Sequence, residues 1–132
     1  MEKTGKPISE HSICTDTKYS ARWRNAAIDG SVCARDAAGA RAAISDAQVS
    51  RDARRAAGRA AAAQLACDEL PCPVGPCSQQ GARVDNLSRR EQPYNIRDTG
   101  ERGDCAANET RWTYRVRIDA DIEVQCDCPQ PA

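Results

Sequence analysis

The run RWTYRVRIDADIEVQCDC, residues 111 to 128, alternates without a break. Every even position (Trp112, Tyr114, Val116, Ile118, Ala120, Ile122, Val124, Cys126, Cys128) is apolar or cysteine, and every odd position is polar or charged. A helix turns once every 3.6 residues or so, and no helix gathers these side chains on one side. The pattern predicts one long half-buried β-strand, or two strands in phase around a bend near Asp119. A chain built on such a strand must cover one face and leave the other in water.

The cover is the alanine-rich stretch from Asn25 to Cys67, interrupted by Gly30, Gly39 and Gly58. Its best helix lies at the end, where Val49, Ala53, Ala56, Ala60, Ala63 and Cys67 fall on one narrow stripe and Arg51, Arg54, Arg55 and Arg59 fall beside or opposite it. Ser45-Asp-Ala-Gln48 reads as a capping box that opens this helix, with a start near Ser31 as the alternative. Alanines bury little area each. At about 25 cal/mol per Å² of apolar surface they cannot hold the helix alone, so the surface they meet must supply the larger groups.

Elsewhere Ile13, Thr15, Thr17, Tyr19, Ala21 and Trp23 alternate with polar residues, which predicts a first strand. Residues 81–90 predict a shorter one. Asp98 to Asp104 is rich in turn residues, and Pro93 favours loop over ladder for 88–110. The expected order is strand, helix, strand, strand. We therefore expect an α+β fold, an alanine-rich helix packed on a small antiparallel sheet with one long C-terminal strand. Residues 1–10 read as a polar arm, 11–128 as a single α+β domain and 129–132 as a tail.

Such a core is thin. Leu, Ile and Val occupy sixteen of 132 positions and Phe none, below the roughly 20% at which disorder becomes a serious reading. Balanced charge, 19 basic against 19 acidic residues, removes the self-repulsion that keeps disordered chains open. What a small core lacks is supplied by disulfides, a metal or a partner subunit.

The eight cysteines bear on that choice. Cys14, Cys33, Cys67, Cys72, Cys77, Cys105, Cys126 and Cys128 are all disulfide candidates, and their even number favours pairing. In CDELPCPVGPC, residues 67 to 77, prolines stiffen the exit of the helix, and a turn centred near residue 101 would set Cys77 opposite Cys126. The alternative is zinc, with Cys72, Cys77, Cys126 and Cys128 as a tetrahedral thiolate set and His11 with Cys14 as a further fragment. The C-x4-C-x4-C spacing is a poor match to the paired C-x2-C knuckles of structural zinc sites. Disulfides are the expected join, which makes the fold disulfide-stabilised and points to an extracytoplasmic or particle-surface setting. The first residues show no apolar signal segment, which leaves a cytoplasmic setting open.

The polar face of the long strand is ordered by charge. Arg111, Arg115 and Arg117 lead, and Asp119, Asp121 and Glu123 follow, so two copies set antiparallel about a two-fold axis near Ile118 would match basic to acidic halves. The competing reading is that neighbouring strands of the same chain, or solvent, satisfy these charges. Nucleic-acid binding is disfavoured by the neutral chain and by Trp112 and Tyr114, the stacking candidates, lying on the apolar face away from the arginines.

Catalysis has little to work with. His11 is the sole histidine, no nucleophile, metalloprotease, phosphate-loop or dinucleotide motif occurs, and Asp119 with Asp121 sit among arginines, as ion-paired surface acids do. The expectation is a non-enzymatic structural or interaction protein without cofactor. Its expected partner is itself or another protein of the same assembly, with no membrane span. The alternatives are a zinc-stabilised intracellular adaptor and, third, a nucleic-acid-binding module.

Overall fold

The structure, a computed structural model, describes residues 16–130. The elements are β1 (Thr17–Ala34), α1 (Ala37–Ala43), α2 (Asp46–Gln64), a 3-10 turn (Cys67–Glu69), β2 (Ser78–Gln79), β3 (Arg83–Arg89), β4 (Tyr94–Asp98) and β5 (Thr110–Asp127). The alternating run is thus one continuous strand through Asp119. It forms the axis of a five-stranded antiparallel sheet. Along one edge β5 pairs with the whole of β1; along the other it pairs in turn with β2, β3 and β4.

Three of these neighbours keep step with β5 only by bulging. Register shifts lie between Trp23 and Ala26, Asp85 and Ser88, and Tyr94 and Arg97. Each contains an asparagine at positive φ: Asn25 at 54°, Asn86 at 56° and Asn95 at 54°. Asparagine tolerates the left-handed region better than other side chains with a Cβ, and one residue there supplies the extra length of a bulge. At Asn25 the bulge also reverses the phase of β1. Tyr19, Ala21 and Trp23 pack on the core from odd positions, whereas Ile28, Val32 and Ala34 are buried from even ones.

That reversal corrects the reading of residues 25–34, which belong to β1 and not to the alanine-rich cover. The cover is two helices. Asp36 caps α1 by accepting from Gly39 N–H (2.8 Å), and Ser45 caps α2 by accepting from Gln48 N–H (3.2 Å), as the capping sequence predicted. The buried stripe of α2 is Val49, Ala53, Ala57 and Ala61, with Asp52 beside it. Of the expected stripe, Val49 and Ala53 hold; Ala63 is exposed, and Ala56 and Ala60 lie at the margin. Against these alanines stand Tyr114, Val116, Ile118, Ile122 and Val124 of β5, the larger groups that such a helix requires.

The 88–110 connection also differs from expectation. Residues 94–98 form β4, with Pro93 placed just before the strand, where its missing N–H breaks no ladder bond. Strand 83–89 falls within the expected 81–90. Ile13, Thr15, His11, Cys14 and the expected polar arm lie outside the described residues. No helix among the described residues is long and apolar enough to cross a membrane.

Candidate functional site

Beneath α2, in the middle of an apolar interface, lies one charged side chain. Asp52 is 1% exposed. Its Oδ2 accepts from the Tyr114 hydroxyl at 2.5 Å and from Gln48 Nε2 at 2.9 Å, and its Oδ1 accepts from Arg55 at 3.1 Å. Gln48 in turn bonds the Ser31 carbonyl (3.3 Å) and receives Arg51 on its Oε1 (2.8 Å). A buried carboxylate is tolerated only when its lone pairs are filled and its charge is answered, and this one meets both demands. Burial, and then the Asp52 bond, push the Tyr114 phenol well above the usual tyrosine range.

The cross-strand partner of Tyr114 is Gly30. A Cβ at Gly30 would stand 2.5 Å from two carbons of the Tyr114 ring and closer still to Asp52 Oδ2. The glycine therefore makes the space in which phenol and carboxylate meet. The cluster fixes the rotation of α2 over the sheet. With Tyr114 2% and Asp52 1% exposed, phenol and carboxylate meet out of reach of solvent.

At the other end of β5 the join is sulfur. Cys67 bonds Cys126 and Cys77 bonds Cys128, so the expected Cys77–Cys126 proximity is corrected by two residues. The register explains the shift: Ser78 faces Asp127 and Gln79 faces Cys126, which leaves Cys77 opposite Cys128, while Cys126 meets Cys67 arriving from the helix exit. The four half-cystines form a small core of their own with Leu65 and Leu70 against them. Gln79 Nε2 also donates to the Gly58 carbonyl at 2.8 Å, tying β2 to α2. A third bridge, Cys33–Cys105, fastens β1 to the loop before β5. Cys72 is disulfide-bonded as well.

Cys72, Cys77, Cys126 and Cys128 are all in disulfides, and a disulfide sulfur is not the thiolate that zinc requires. Three bridges among the described residues are compatible with an oxidising environment.

The outer face of β5 has neighbours for all its charges. Arg111 bonds Asp104 and Ser31; Arg115 pairs with Asp29 at 2.7 Å; Arg117 stands 3.8 Å from Glu91. Asp119 accepts from Arg90 (2.9 Å) and from the Asn25 N–H (2.8 Å), and that backbone bond first, then Arg90, hold its carboxyl below the usual aspartate range. Asp121 accepts from Asn86 at 2.9 Å with Arg22 and Arg24 nearby, and Glu123 pairs with Lys18 at 3.2 Å. Ile118 is flanked by Ala26 and Arg89, so no strand edge is open at the expected two-fold position. Trp112, half-buried against the core, donates its indole N–H to the Ala34 carbonyl (3.1 Å), and Tyr114 is buried.

Sequence reasoning missed Asp52, Gln48 and Gly30. The available signal was an aspartate on the sheet-facing side of an alanine helix together with a tyrosine on the apolar face of the strand, two groups that each need a buried partner. No family model, curated protein or solved structure matches this chain.

Proposed function

We propose that the chain is a non-enzymatic structural or interaction protein that self-associates through the outer edge of β1, as a subunit of an oligomer, surface assembly or particle in an oxidising, extracytoplasmic setting. One observation carries the reading. β1 is eighteen residues long, and among the described strands only β5 pairs with it, on one side. At about 3.3 Å per residue that edge runs on the order of 60 Å, a row of backbone donors and acceptors of the kind another strand completes. The half before the bulge carries Lys18, Arg22 and Arg24, which stand near Glu123 and Asp121 of β5. The half after it, AAIDGSVCA at 26–34, carries a single charge, Asp29, already engaged with Arg115.

The buried polar groups support a non-enzymatic role, since they are turned to holding helix on sheet. Sedimentation velocity over a wide concentration range tests the reading: a reversible shift from monomer to dimer or larger species is expected. Ala27→Lys, a charge at an exposed position of the open half, weakens that shift. A monomer at every concentration removes the proposal.

A further inference from the structure

We propose that the cleft between α1 and β4 binds a small organic carboxylate with a flat apolar body. The cleft is lined by Arg41, Ile44, Arg89, Gln92, Pro93 and Ile96 and encloses about 330 Å³. That volume lies at the small end of the roughly 300–1,000 Å³ typical of ligand pockets. Ile44, 6% exposed, closes α1, and Ile96 packs on the core from β4, so both are fixed by the fold and form an apolar floor.

The walls are cationic and differ in their state. Arg89 is oriented by Asp46, the first residue of α2, through an Nε contact of 3.1 Å, and its side chain is 28% exposed. The Asp46 carboxylate balances the Arg89 charge. Arg41 sits in the last turn of α1, and its guanidinium has no hydrogen-bond or ion-pair partner among the described residues. Arg35, Arg59 and Arg97 share that state, but of these guanidinium groups only that of Arg41 lines this cleft beside its apolar floor. A guanidinium offers a planar fork of donors that a carboxylate fills with two bonds, and its face stacks on flat rings. Gln92 at the rim adds an amide. A carboxylate on Arg41, with its ring over Ile44, Pro93 and Ile96, answers the unpaired charge and covers the floor together.

The site is independent of the β1 edge, so the two readings can fail separately. The test uses amide chemical-shift mapping of the whole chain with benzoate and naphthoate, each against its neutral amide. Saturable shifts confined to residues around Ile44, Gln92 and Ile96 are expected. Arg41→Gln, an exposed position whose change leaves the rest of the spectrum in place, weakens binding about tenfold or more, the loss of a charge-assisted pair. The neutral amides bind more weakly by a similar factor. No saturable shift, equal binding of acid and amide, or unchanged binding to Arg41→Gln would each overturn the proposal.

Discussion

The two ends of β5 are held down by opposite means. Near its start Tyr114 is fixed by hydrogen bonds to a buried carboxylate on α2; at its finish Cys126 and Cys128 are fixed by covalent bonds to the chain that leaves α2. The difference follows from what the helix has to offer along its length. Its first turns carry Gln48, Val49 and Asp52, which reach the sheet and make directional contacts. The last turns carry Ala57 and Ala61, which bury fully yet contribute little area. Where side-chain burial runs out, sulfur takes over. The polar end sets how the helix is rotated, and the sulfur end sets how firmly it stays.

If that division holds, removing sulfur damages stability most. With Cys77–Cys128 still in place, Cys67→Ser with Cys126→Ser opens only the short ring formed by residues 67–77 and 126–128, for which chain entropy gives about 3 kcal/mol of lost stability. Chemical denaturation of the double variant checks this, and a loss well below about 2 kcal/mol would place the hold on α2 in packing instead.

Breaking the polar end costs less and has a pH signature. Tyr114→Phe leaves Asp52 Oδ2 with Gln48 alone, a loss of about 1–3 kcal/mol. Because burial raises the phenol above its ordinary value of about 10, its contribution is fully present below about pH 10. It is lost as pH rises from there toward the folded-state value, since the unfolded chain ionises first. The wild type therefore loses stability at alkaline pH faster than Tyr114→Phe, and its Tyr114 phenolate absorbance appears only with unfolding. Parallel alkaline slopes for the two proteins would deny the phenol this role.

The smallest effect is expected on the outer face. Arg115→Ala breaks the Asp29 pair, where both side chains are about half exposed, and such pairs are worth about 0–1 kcal/mol and fade with salt. A larger loss would mean that the charged face takes part in holding β1 to β5.

How much of this was legible depended on whether a signal was local. The long strand declared itself because a period of two needs no knowledge of its partner. The cap at Ser45 was equally local. The second half of β1 was hidden by the single residue Asn25, which breaks the alternation in the middle of an alanine-rich passage and lets Ala26, Ile28, Val32 and Ala34 pass for part of the cover. The helix stripe was misplaced because alanines at 53, 56, 57, 60, 61 and 63 define several equally small faces. Asp52 and Tyr114 select among them, and they stand 62 residues apart. The Cys67–Cys126 and Cys77–Cys128 pairs needed the register of a two-residue strand, β2, which has no pattern of its own.

The asparagine bulges give the molecule an uneven tolerance to insertion and deletion. All three lie in strands beside β5, and none lies in β5. A residue gained or lost at positions 25, 86 or 95 meets backbone already out of step and able to take up the slip. The same change between 114 and 126 would turn Val116, Ile118, Ile122 and Val124 toward water and the arginines and aspartates toward α2. In evolutionary terms β5 is a reading frame that length changes cannot cross, and its neighbours are the margins in which the chain can grow.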